Sequence, residues 1–133
     1  MIVVDANILV YRIVEGEMTA AALRLQEKDS DWRTSPLWEY EFGNALALMI
    51  LQKHLTTKMA AQLFQRAAEV FTPGEMQVDS DLALRLASEK KISFYDAQYL
   101  ALAQMLGVPL ITEDKALRKA AGDLAVSLRD FVN

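Results

Sequence analysis

Two aspartates stand where a buried strand should hand over to a helix. Asp5 follows the apolar run Ile2-Val3-Val4 and precedes Ala6, Asn7 and a second apolar run, Ile8 to Val10. Asp114 follows Val108-Pro109-Leu110-Ile111-Thr112-Glu113 in the same way. Aspartate forms strands poorly and is costly to bury alone, so each must either cap the next helix or hold a cation. Ligands of open α/β sheets bind at the carboxyl ends of strands, which is where both fall. A third carboxylate, Asp96, ends the stretch Ser93-Phe94-Tyr95-Asp96. That spacing is a capping-box variant, and it would also hold Asp96 rigidly enough to bind a metal. Glu41 and Glu39 both lie among apolar neighbours in one long helical stretch, and periodicity does not choose between them.

The elements that must carry these residues follow from the punctuation. Gly16, Ser35-Pro36, Thr72-Pro73-Gly74 and Gly107-Val108-Pro109 mark the breaks. The pattern predicts a first strand over 2–5 and a short helix running through Val14. A helix over 18–28 and a second short strand over 32–34 come next. Ser35 as cap and Pro36 at a first helical position open a long helix, and another runs from Thr56 or Thr57 to Val70. Residues 76–78 read as a further short strand. Asp79 or Ser80 caps the helix that follows, Ser93 caps the next, and Gly107 ends it. Strands over 108–112 and at Ala125-Val126-Ser127-Leu128 enclose a helix beginning at Asp114. Strands separated by helices imply a parallel sheet with helices on its faces.

Bulk properties narrow the chemistry. A chain of 133 residues suits one domain, spanning 1–133. With no cysteine and the single His54, disulfides, thiolate zinc sites, a cysteine nucleophile and multi-histidine metal sites are all excluded. The N-terminal apolar run is interrupted by Asp5 and lacks a basic flank, unlike a signal peptide. The longest apolar stretch, Ala45 to Leu51, falls far short of the about 20 residues a membrane span needs. The expectation is a soluble, cytoplasmic protein. Eighteen acidic against 14 basic residues give a net charge of −4, which argues mildly against a nucleic-acid binder unless the acids gather around divalent ions. At 53% hydrophobic residues, either the helical core is well filled or some apolar surface serves a partner.

Taken in order, VDANI, EFGNAL, SFYDAQYLALA and LITED resemble the PIN-domain family, especially the VapC-type toxins of toxin–antitoxin pairs. The resemblance covers nearly the whole chain, and the YDAQYLALA segment is its most specific part. It implies a three-layer α/β sandwich, a small central parallel sheet flanked by helices, with acids meeting at one edge around Mg²⁺ or Mn²⁺. The implied activity is endonucleolytic RNA cleavage. Carried over by position, the acids are Asp5, Glu41, Asp96 and Asp114. Glu41 is preferred to Glu39 because it precedes Asn44 by three positions, as the family's Glu precedes an Asn. Asn7 and Thr112 match the supporting polar positions. Glu113 is an extra carboxylate beside Asp114 that could engage the ion in its place. The resemblance also implies a homodimer silenced by a cognate antitoxin protein.

Such a set suits Mg²⁺, a hard cation that takes oxygen ligands and keeps several waters. At a phosphodiester it would polarise the phosphate and make a bound water more acidic. In this reading Asp5 and Asp96 are the primary ligands, Asp114 orients water or a second ion, and Glu41 completes the set or assists as a base. Backbone-holding candidates are Arg12, Lys53 to Lys58, Lys90, Lys91, Lys115, Arg118 and Lys119, each of which could equally be a solvated helix face. Two other classes fit in part. A receiver-like phosphoacceptor would use Thr112 and Lys115, but no mid-chain strand ends in an aspartate. A non-catalytic interaction module on the PIN scaffold would have no need of a complete acid set.

Overall fold

The computed structural model describes residues 1–133. Strand β1 (Ile2–Val4) leads into helices α1 (Ala6–Ile13) and α2 (Thr19–Lys28), then strand β2 (Trp32–Arg33). Helices α3 (Trp38–Leu51), α4 (Thr57–Phe71), α5 (Ser80–Lys90) and α6 (Phe94–Leu106) follow. Strand β3 (Leu110–Ile111), α7 (Lys115–Ala121), β4 (Ala125–Val126) and α8 (Leu128–Val132) complete the chain.

The four strands form one parallel sheet in the order β2-β1-β3-β4. β1 sits centrally and all three of its residues are buried. Side chains alternate across a strand, so Ile2 and Val4 enter one core and Val3 the other. The first core takes Trp38 and Phe42 from α3, Phe71 from α4, Ile8 and Leu9 from α1, and Leu128 from α8. Trp38 makes edge or stacked contacts with Phe42, Phe64 and Phe71 at centroid separations of 5.7–6.2 Å. The second core lies under α5, α6 and α7 and contains Leu86, Tyr99, Leu100, Leu102, Leu110 and Leu117. Burying one large apolar side chain of this kind contributes about 1.5–3 kcal/mol. The result is the expected three-layer sandwich with a small parallel sheet in the middle.

Three details differ from the sequence expectation. Residues 76–78 form no strand: a single parallel bridge joins Thr34 and Glu75, and Met76 donates to the Thr34 carbonyl at 3.0 Å without extending a ladder. Gly74 permits that approach, since a Cβ there would lie 2.2 Å from the Trp32 carbonyl oxygen. The long helix begins at Trp38, with 36–37 in a lead-in turn where Ser35 Oγ accepts from Leu37 N at 3.1 Å. The last strand stops at Val126, because Ser127 instead caps α8 by accepting from Asp130 N.

Candidate active site: a ring of acids at the strand ends

Parallel pairing places Val4 opposite Ile111. The next residues along each strand set up the site. Asp5 caps α1, accepting at Oδ1 from Ile8 N at 3.2 Å, while the buried Thr112 hydroxyl donates to its Oδ2. The same hydroxyl oxygen accepts from Asp114 N at 3.1 Å. Asp114 in turn caps α7, with Oδ1 accepting from Leu117 N at 2.8 Å. Capping and cation binding are therefore compatible: Asp114 spends one oxygen on its helix. Asp5, only 6% exposed, is the most deeply enclosed of the four acids.

The helices deliver the other two. Ser93 caps α6 by accepting from Asp96 N at 3.0 Å, but the Asp96 carboxylate does not close the box in return. It faces the cavity instead. Glu41, in the first turn of α3, accepts from the Tyr99 hydroxyl at 2.5 Å. Tyr99 lies one turn after Asp96 on α6, and the Ala6 amide faces its hydroxyl. One buried phenol thus ties α3 to α6 beside the N-terminus of α1. Sequence reasoning missed Tyr99, whose one signal is a polar-tipped ring in an otherwise Ala- and Leu-rich helix, three residues after a candidate acid.

Asp5, Glu41, Asp96 and Asp114 all line one cavity of about 610 Å³, with Asn7, Asn44 and Tyr99 beside them. None of its 13 lining residues is Lys or Arg. The chain's two ion pairs, the Met1 amino group with Asp29 and Arg33 with Asp31, lie elsewhere. Each acid in the cavity has two like-charged neighbours. Asp5 feels Glu41 and Asp114, Glu41 feels Asp96, and Asp96 feels Asp114, which closes the ring. Burial is the main cause that pushes the Asp5 carboxyl up to about 6, against hydrogen bonds from Thr112 and Ile8 that favour its charged form. Burial, with help from neighbouring negative charge, also raises Glu41 and Asp96.

This donor set fits a divalent cation: one buried and two half-buried carboxylates with the more exposed Asp114 at their edge, mutual repulsion and no internal counter-ion. No three of the acids stand close enough to form a ready cage. Mg²⁺ and Mn²⁺ tolerate that, since such ions keep waters between themselves and some of their ligands. The neighbouring acids are engaged or turned away. Glu113 Oε1 accepts from Leu128 N at 2.7 Å and so holds α8, while Glu39 is exposed and does not line the cavity. Arg12 donates to Gln26 at 2.6 Å and also lies outside the lining.

A parallel four-stranded sheet between helical layers, with acids gathered at its carboxyl edge, defines a PIN-type fold, and the PIN domain model matches residues 2–123: the chain belongs to the PIN domain family. It is similar to Ribonuclease VapC1 of Mycobacterium tuberculosis, 28% identical over 120 residues that cover 90% of each chain. It is also similar to Ribonuclease VapC3 of Pyrobaculum aerophilum, 30% identical over 122 residues covering 87% of this chain and 91% of the relative. Among solved structures, PAE2754 of Pyrobaculum aerophilum superposes with a TM-score of 0.79 at 24% identity, covering 98% of this chain and 85% of that one. FitAcB of Neisseria gonorrhoeae superposes with a TM-score of 0.75 at 17% identity, covering 97% and 99%. The family match disposes of the receiver-like alternative. No helix is long and apolar enough to cross a membrane.

Proposed function

We propose that the protein is a divalent-metal-dependent endoribonuclease and the toxin of a toxin–antitoxin pair. The observation that carries this reading is the closed ring of four carboxylates in a cavity lined without a cationic side chain. The VapC ribonucleases among its relatives support RNA as the substrate. Asp5, Asp96, Asp114 and Glu41 would hold Mg²⁺ or Mn²⁺, with Asn7 as a polar neighbour. Bound there, the ion would supply positive charge for the phosphate and a more acidic water for hydrolysis.

The chain's own residues prepare that site. Thr112 fixes one oxygen of Asp5 and Ile8 N the other, so the deepest acid has one orientation. The N-terminus of α1 favours its charge. The Tyr99 hydroxyl holds Glu41 by one oxygen. Asp96 has no protein donor on its carboxylate, which makes it the acid most available to an incoming ion. An antitoxin protein as partner, a homodimer and a cytoplasmic location belong to the same proposal and rest on the VapC resemblance.

The test is cleavage of RNA by purified protein with Mg²⁺ or Mn²⁺, against the same protein in a chelator. Asp5→Asn and Asp96→Asn should each abolish cleavage with the fold intact, because Asn caps α1 about as well as Asp5 does and the Asp96 carboxylate has no hydrogen bond within the protein to lose. Cleavage retained in both variants overturns the assignment.

A further inference from the structure

A second cavity, of about 260 Å³, adjoins the acidic one and shares Leu37, Tyr40 and Tyr95 with it. Its remaining wall includes Phe94, Ser35 and Gln98. Three of these residues are aromatic and open to solvent: Tyr40 is 77% exposed, Tyr95 60% and Phe94 40%. None of them is consumed by either core. Unlike the acidic cavity, this one carries no charged side chain. Ser35 Oγ donates to Gln98 Oε1 at 3.3 Å, which orients the Gln98 amide and leaves its NH₂ group to donate.

We propose that this second cavity is a nucleobase subsite, receiving the base next to the phosphate held at the acid ring; the proposal rests on the ribonuclease reading above. Flat, uncharged walls of Tyr and Phe are the surface on which unpaired bases stack. An oriented Gln amide can read a base edge by hydrogen bonding. The volume admits one planar heterocycle and not a helix. Since Tyr40 and Tyr95 form the wall between the cavities, a strand with its phosphate at the acids passes directly over them. These features favour a base of single-stranded RNA over a segment of partner protein, which would have no use for an oriented amide in the lining of so small a recess.

The test follows cleavage of short single-stranded RNA of random sequence with Mn²⁺, mapped at nucleotide resolution. Tyr40 and Tyr95 are exposed, so their substitution leaves the fold in place. The wild type should show a base preference at one position beside the cut. Tyr95→Ala and Tyr40→Ala should raise KM by about tenfold or more, the loss expected when a stacked base loses its ring. Tyr95→Phe should restore it, and Gln98→Ala should flatten the preference at that position alone. An abasic nucleotide there should reproduce the Tyr95→Ala defect and add nothing in that variant. Calorimetric Mn²⁺ affinity of the protein without RNA should be the same throughout. Unchanged kinetics in the Ala variants, or equal sensitivity to abasic nucleotides at every position, overturns the subsite and leaves the aromatic rim to a protein partner. A wild type that binds Mn²⁺ but cleaves no RNA overturns the ribonuclease reading and the subsite with it; intact wild-type cleavage with unaffected variants overturns the subsite alone.

Discussion

Thr112 and Asp5 are 107 residues apart in sequence, yet the Thr112 hydroxyl donates to the Asp5 carboxylate while its oxygen accepts from the amide of Asp114. One side chain therefore fixes two of the four acids relative to each other, just beyond the ends of adjacent strands of a parallel pair.

Replacing it should be costly. Thr112→Val keeps the shape but leaves a buried carboxylate and a backbone amide each short of a partner, a loss of about 1–3 kcal/mol for each such group. Urea unfolding should show the loss, and calorimetry should show weaker Mn²⁺ binding. A variant as stable as the wild type would mean that the hydroxyl does not hold Asp5.

Glu41 and Glu39 separate cleanly. Glu41→Gln removes charge from the ring but keeps an acceptor for Tyr99, so it should lower cleavage and divalent affinity while slightly stabilising the metal-free protein. Glu39→Gln should do none of these. Were Glu41 paired with a buried cation, its neutralisation would instead destabilise the fold. Equal urea midpoints and equal cleavage for the two variants would place the wrong glutamate at the site.

Tyr99→Phe removes only the hydroxyl that Glu41 accepts from. A hydrogen bond to a charged group is worth about 1.5–3 kcal/mol, and that is the expected stability loss. Divalent affinity should fall in the wild-type background and change little when Glu41 is already Gln. A loss of affinity of the same size in both backgrounds would separate Tyr99 from Glu41.

The metal-free protein should become more stable as the pH falls from neutrality. Asp5 is raised from 3.8 to about 6 in the folded state, so the stability from its protonation is fully present below 3.8 and lost as the pH rises through about 6. The contribution is on the order of 3 kcal/mol. Glu41 and Asp96, also raised, act in the same direction. Urea midpoints followed from neutral to mildly acid pH should rise, and Asp5→Asn should flatten much of the slope. A wild-type midpoint that falls over this window would contradict the buried, repelled carboxylate.

Saturating Mn²⁺ should stabilise the fold by mass action, by about 2.7 kcal/mol at 100 times the dissociation constant. The melting temperature of the Asp5→Asn Asp96→Asn double variant should not respond. An equal response in both proteins would show that the ion binds elsewhere.

The strand ends were legible in the sequence because IVV and VPLIT are compact apolar runs that each stop near an acid. Local pattern also found the caps at Ser93 and Asp114 and the stop at Gly107, whose φ of +66° suits glycine, and narrowed the cap of α5 to Asp79 or Ser80, of which Asp79 is the one that caps. It could not decide whether Asp5 and Asp114 cap or face a cavity, and the structure shows that a carboxylate does both. Choosing Glu41 over Glu39 needed the resemblance, since both ride among apolar neighbours and only the turn of α3 against α6 separates them. Tyr99 was hidden because its role depends on a partner 58 residues away. The C-terminal helix was hidden because five residues are too few to display a period.

The place of β3 in the sheet has a consequence for a chain still on the ribosome. β1 can pair with β2 early, but its other flank gains a neighbour only when residues 110–112 have been added and have paired beside it. A nascent chain ending before Leu110 already carries Asp5, Glu41 and Asp96, yet it has neither the hydroxyl that orients Asp5 nor the fourth acid. The acid ring is therefore late in the order of synthesis: helices α1 to α6 can be translated and formed before the edge at which the acids meet exists.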